Sequence, residues 1–191
     1  MNNGITRINI VGNLGGNGAY RFKQSQDRQP AANRLYREIF TKLGMELLAG
    51  DAVMDVGIDE YEAGYDKFLG IDVILTFADG QEATLQEKFL FTPYQTVTVE
   101  YMQNNLTQEH GDWFNMKCDY YFVGYDRIRE NDFQEYILLN WPMVKSLSQQ
   151  GRIDWGLNTN KKDGARASFR YANFWQFPAD CVMDSRYTIP D

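Results

Sequence analysis

Two neighbouring stretches carry side chains able to act on one point. Asp72 lies in Gly70-Ile71-Asp72-Val73-Ile74-Leu75-Thr76-Phe77, and Gln86 and Lys88 lie in Leu85-Gln86-Glu87-Lys88-Phe89. A carboxylate, an amide oxygen and an ammonium together can hold a divalent ion, a water and a phosphate. Mg²⁺ or Mn²⁺ takes hard oxygen ligands and keeps several waters, so Asp72 is the first ligand and the Gln86 side-chain oxygen a weaker second. A bound ion lowers the pKa of its water and neutralises phosphate charge, so hydrolysis by this route needs no histidine. Lys88 would hold a phosphate oxygen and help stabilise the attacking hydroxide. Asp72 is set among Ile71, Val73, Ile74 and Leu75, and Lys88 among Leu85, Phe89 and Leu90, so each charge needs a partner in apolar surroundings. The plain alternative is that all three belong to the solvated face of a hairpin.

Register decides whether the three can meet. Side chains alternate along a strand, so Gln86 and Lys88 share a face and Glu87 points the other way. A two-residue loop, Asp79-Gly80, sets Asp72 opposite Glu87 and puts Lys88 on the wrong side. A three-residue loop, Ala78-Asp79-Gly80, sets Asp72 opposite Gln86. Gly80 then occupies the position that such a loop closes in the left-handed region, which favours this register, although Asp-Gly also suits the shorter turn.

The elements around the hairpin follow from periodicity. Ala32, Leu35, Tyr36, Ile39, Phe40 and Leu43 recur at helical spacing, which predicts a helix over 31–43, with Pro30 in its first turn and Gly44 at its C-terminal end. The glycine-rich run 12–18 reads as loop; it lacks the Lys-Ser/Thr ending of a phosphate loop. A strand is expected near 53–58, others at 96–101 and 119–125, and a helix over 133–149 broken at Pro142. The last forty residues read as loop and short strand. Together these predict an α/β fold, a mixed central sheet flanked by helices, as a single domain over 1–191. Its core is placed at about 31–150, with residues 1–30 and 151–191 as peripheral extensions.

Composition narrows the function. The 191 residues are 43% hydrophobic, enough for one packed domain, and no apolar run reaches the length of a membrane span. The polar start Met1-Asn2-Asn3-Gly4 does not read as a signal peptide, and Cys118 and Cys181 are expected to stay reduced, so a cytoplasmic protein is expected. The single histidine, His110, in a polar loop-like stretch, excludes paired-histidine nucleases and histidine-rich zinc sites. No nucleophile elbow accompanies it.

The net charge of −7 is unevenly spread: residues 46–87 hold eleven acids and one base, whereas 145–170 hold six bases and two acids. Lys161, Lys162, Arg166 and Arg170 are therefore candidates for contact with a nucleic-acid backbone, or else plain solvated surface. Phe169, Tyr171 and Trp175 beside them suit base stacking or the core.

Gly70-Ile71-Asp72-Val73-Ile74, a short turn and then Leu85-Gln86-Glu87-Lys88-Phe89 resembles the signature of the PD-(D/E)XK nuclease superfamily, the restriction-endonuclease-like fold. The resemblance spans roughly residues 31–126. It implies an αβββαβ core, Mg²⁺- or Mn²⁺-dependent hydrolysis of phosphodiester bonds in DNA, and Asp72, Gln86 and Lys88 as catalytic residues, with Asp72 and Gln86 on the metal. Ile71 stands where that family usually has proline, and Gln86 where it usually has an acid, which removes one charge from the metal site. The family often adds an acid from the first helix, a role that falls to Glu38, on the flank of the apolar stripe; Asp66 is a further candidate. Cleavage of both strands would call for a homodimer. The competing expectations are a non-catalytic nucleic-acid-binding or subunit protein on the same fold, and an interaction protein without nucleic acid.

Overall fold

The helical periodicity of 31–43 is realised in the C-terminal half of helix α1 (Gly16–Lys42) of the computed structural model, which describes residues 16–52, 70–90, 94–126, 132–159 and 166–189. Ala32, Leu35, Tyr36, Ile39 and Phe40 are all buried. The helix starts inside the glycine-rich run read as loop, and Pro30 stands within it and not in its first turn. It ends as expected at Gly44, whose φ of +78° suits a residue without Cβ. Met45 N–H donates to Phe40 O at 2.8 Å and Gly44 N–H to Thr41 O at 3.0 Å, the two bonds that close a helix C-terminus of this kind.

The chain then forms β1 (Leu47–Ala52), β2 (Val73–Phe77) and β3 (Glu82–Leu90), an antiparallel meander. The strand expected near 53–58 lies outside the described residues. β4 (Thr96–Asn104), β5 (Glu109–His110) and the one-turn helix α2 (Asp112–Asn115) follow. Next come β6 (Tyr120–Asp126), β7 (Phe133–Asn140) and helix α3 (Trp141–Gln149), then β8 (Gly156–Thr159), β9 (Ser168–Asn173) and β10 (Val182–Arg186).

One correction concerns 133–149. Its first half is β7, not helix, because Ile137 and Leu139 serve one core while Tyr136 and Leu138 serve the other. An apolar run buried on both sides has no alternation to betray it as a strand. Pro142 does not break a helix there. It sits in the first turn of α3, behind Asn140, whose side chain accepts from Met143 N–H at 3.0 Å.

The strands form two sheets, one of six in the order β1-β2-β3-β6-β7-β10 and one of four in the order β5-β4-β9-β8. Every described pairing is antiparallel except β3 with β6. The protein is thus a mixed α/β fold with a mixed central sheet. Residues 151–191, expected at the periphery, supply strands to both sheets.

α1 covers one face of the six-stranded sheet, packing on Val73, Leu75, Leu85, Phe122 and Leu138. The second sheet and α3 cover the other, where Val97, Val99, Tyr121, Val123, Trp141 and Ala172 share a core. β4 meets the first sheet near Thr96 and Thr98, along the part of its edge that the short β5 does not pair. There Tyr125 Oη accepts from Thr96 N–H at 3.1 Å and donates to Thr96 O at 3.0 Å, and Tyr121 Oη donates to Thr98 O at 3.1 Å. Hydroxyls of one sheet thereby satisfy backbone groups that a free edge would leave bare.

Candidate functional site

The hairpin has the three-residue loop. Val73 pairs with Leu85 and Ile74 with Thr84, Gly80 N–H donates to Phe77 O at 3.0 Å, and Gly80 has φ +82°. One step beyond Val73, Asp72 N–H donates to Leu85 O at 2.9 Å, so Asp72 comes opposite Gln86. Their side chains meet: Gln86 Nε2 donates to Asp72 Oδ2 at 2.6 Å, and Glu87 N–H donates to the same oxygen at 2.6 Å. Gln86 Oε1 is buried and accepts no hydrogen bond. It lies 3.1 Å from where a Cβ on Gly70 would stand, so Gly70, at φ +56°, keeps the space beside it open.

Lys88 shares the face of Gln86, as alternation requires, and reaches toward the second sheet. Its Nζ donates to Thr98 O at 2.9 Å. Burial pushes its pKa down, opposed by the carboxylates of Asp112 and Glu100. Glu100 is pushed up by its own burial and then by Asp112. Lys88 is thus an enclosed cation held by a carbonyl with two acids near it, not a residue of a solvated hairpin face.

Glu87 points to the opposite side, into the layer of α1. Its Oε1 accepts from Tyr36 Oη at 2.7 Å and from Gln29 Nε2 at 3.0 Å. Enclosure raises its pKa to about 7 against those two donors. α1 therefore contributes Tyr36 and Gln29 near the hairpin and not the acid expected of it. Glu38 is exposed and lines a shallow depression with Arg34, Asp132 and Arg186. It is not brought to Asp72, because α1 lies on the face carrying Val73 and Leu85 while Asp72 and Gln86 belong to the other. The flank position left the sequence unable to say which edge of the helix faces the hairpin.

Lys161, Lys162 and Asp66 lie outside the described residues. Arg166 is exposed just before β9, and its carbonyl accepts from Asn105 N–H at 3.0 Å. Arg170 departs from the expected solvent-facing cation. It sits on the inward face of β9, its guanidinium 4.3 Å from the Trp113 ring centre and 4.6 Å from that of Tyr101. Tyr171 and Trp175 are partly exposed, at 41% and 39%, so neither is wholly a core residue. His110 is exposed and stacks on Phe114 at 4.1 Å.

Three neighbours of the site carry no advance signal in the sequence: Thr98, which acts through its carbonyl, Cys118, and Trp113, just past the polar loop-like stretch around His110. Cys118 and Cys181 are both free and buried, and enclosure pushes the Cys118 thiol up to about 12.

A hard divalent ion fits this group in its donor chemistry. Gln86 Oε1 is a buried oxygen without a donor, and it belongs to a side chain bonded to a carboxylate. Among the described residues no three His, Cys, Asp or Glu side chains gather as a metal cluster, so most of the ion's positions would fall to water and phosphate.

No protein-family model, curated protein or solved structure matches this chain.

Proposed function

We propose that the protein is a metal-dependent nuclease that hydrolyses phosphodiester bonds in DNA, with Asp72, Gln86 and Lys88 as its catalytic residues. The observation that carries this reading is the register of β2 and β3, which puts a carboxylate, a donor-free amide oxygen and a lysine on one face. The order of elements supports it: a helix, a three-stranded antiparallel meander, and then a strand parallel to the third of that meander. It departs from an αβββαβ order between β3 and β6, where β4, β5 and the one-turn α2 stand in place of a second helix.

Asp72 and Gln86 would hold Mg²⁺ or Mn²⁺, which supplies an acidified water and charge neutralisation on the phosphate. Asp72 is held for this by the Glu87 N–H and the Gln86 amide, so its carboxylate cannot rotate freely. Lys88 binds a non-bridging phosphate oxygen by exchanging its bond to Thr98 O for one to the substrate. Because Lys88 is enclosed, its charge acts through a medium of lower dielectric than water, which strengthens its hold on a developing oxyanion.

Labelled DNA and RNA substrates with Mg²⁺ or Mn²⁺ test the assignment. Asp72→Asn and Lys88→Gln are expected to lower the cleavage rate by about a hundredfold or more, on the scale of losing one electrostatic contact in the transition state. Glu38→Gln is expected to cleave as the wild type does. Metal-dependent cleavage that survives both site substitutions would remove these residues from the mechanism.

One observation favours a second reading, a nucleic-acid-binding protein without catalysis: Lys88 Nζ is already bonded to Thr98 O. Under it the wild type binds DNA with a steep salt dependence and cuts nothing.

A further inference from the structure

Beside the hairpin, two cations share one aromatic ring. Lys145 Nζ, from α3, lies 4.3 Å from the Trp113 ring centre, and the Arg170 guanidinium, from β9, lies 4.3 Å from the same centre. The two like charges repel, and Lys145 has its pKa lowered to about 8, through burial first and Arg170 second. Trp113 also packs edge-on against Trp155, with centroids 5.2 Å apart. Arg170 and Trp155 then line an open cleft of about 540 Å³ with Tyr101, Asp154 and Leu157. Leu157 is 61% exposed at its mouth.

The chemistry of these walls is specific. Trp155 offers ring surface on which a planar heterocycle can stack, Arg170, laid over Tyr101, offers a flat cation and fixed donors, and Asp154 offers a carboxylate for a ring or exocyclic N–H of a base. A lone anion would make no use of the rings, and an apolar ligand none of the charges. The cluster is also adjacent to the proposed catalytic face. Trp113 follows Asp112, whose charge acts on Lys88, and it shares a core with Ile71, Cys118 and Tyr121 on the same side of the sheet.

We infer that this cleft binds one unpaired nucleotide of a single-stranded nucleic acid, its base stacked against Trp155 and its phosphate on Arg170. The inference extends the nuclease reading to the form of the substrate: a single strand, or a strand end, is gripped beside the point of cleavage. A paired base cannot enter, because its faces are covered by neighbours in the duplex.

The test is fluorescence anisotropy without any metal ion, using a short labelled oligothymidylate and a blunt duplex of equal length. Wild-type protein is expected to bind the oligothymidylate roughly tenfold more tightly than the duplex, the scale of one base–aromatic stack. Leu157→Glu, an exposed change that puts a negative charge at the cleft mouth, is expected to abolish that preference, and Arg170→Lys to weaken it severalfold. Equal wild-type affinity for the two probes overturns the inference, as does a Leu157→Glu protein that keeps the preference. Because no metal is present, the result is independent of whether the protein cleaves. Asp72→Asn is expected to keep the preference, so loss of catalysis and loss of strand binding are separable.

Discussion

Glu87 shows how a residue next to the chemistry can govern stability without taking part in it. Its carboxyl is enclosed between the sheet and α1, with a pKa raised from an ordinary 4.5 to about 7. Between those two values the folded protein binds the proton that the unfolded chain has released. Stability from this group is therefore greatest at low pH and falls as pH rises from about 4.5 to about 7, after which the full penalty of the enclosed carboxylate remains. The span corresponds to a loss on the order of 3 kcal/mol. Urea titrations of the wild type and Glu87→Gln across that range check it: the wild-type slope should be absent from the variant, which keeps an acceptor for Tyr36 Oη. The sequence places Glu87 correctly, on the face away from Lys88, but gives no sign that Tyr36 and Gln29 converge on it, since they lie some fifty residues away in the chain. The pairing of Asp72 with Gln86 was legible only as the favoured of two registers, because Asp79-Gly80 suits both the two-residue and the three-residue loop. Arg170 was not, because a count of basic residues does not say which way a strand turns them.

At the scale of elements, two glycines do different work. Gly80 has open space around it and a φ of +82°. Gly124, in β6, has ordinary backbone, but a Cβ there would stand 2.5 Å from Phe133 Cδ1 and 2.6 Å from Phe122 Cε1. Gly80→Ala is expected to cost about 1 kcal/mol through backbone strain alone. Gly124→Ala is expected to cost about 1–3 kcal/mol through overpacking between β6 and β7. Denaturant midpoints measure both, and only the Gly124 change should disturb the near-UV dichroism of the aromatic layer. The same contrast explains what could be read in advance. Turn chemistry and helix caps are local, so the loop 78–80 and the end of α1 at Gly44 follow from a few neighbouring residues. β7 is not local: its run from Phe133 to Leu139 serves two cores, and only the layers on both sides make it a strand.

Across the whole molecule, the join between the sheets rests on hydroxyls meeting the stretch of β4 that β5 leaves unpaired. Tyr125→Phe removes both partners of Thr96, its N–H and its carbonyl, while leaving the ring in place. A loss of about 1–3 kcal/mol is expected, the cost of leaving enclosed backbone groups unsatisfied, read as a lower midpoint in a transition that stays single. The helix, the hairpin of β2 and β3 and the later strand β6 could be inferred from the sequence, whereas β1 and the second sheet could not, because nothing in β4, β8 or β9 says which strands they will pair with. The path of the chain has a kinetic consequence. It lays down β1 to β3 in the first sheet, β4 and β5 in the second, β6 and β7 in the first, β8 and β9 in the second, and returns to the first for β10. Neither sheet can be finished before the other has begun, so no contiguous half of the sequence can collapse to its final form and wait for the rest. Refolding should therefore fall toward the slow end for a domain of this size, limited by closing long loops rather than by forming α1. During that interval β3 and β7 offer unpaired edges to other chains, which makes dilution, more than temperature, the condition that decides the yield of native protein.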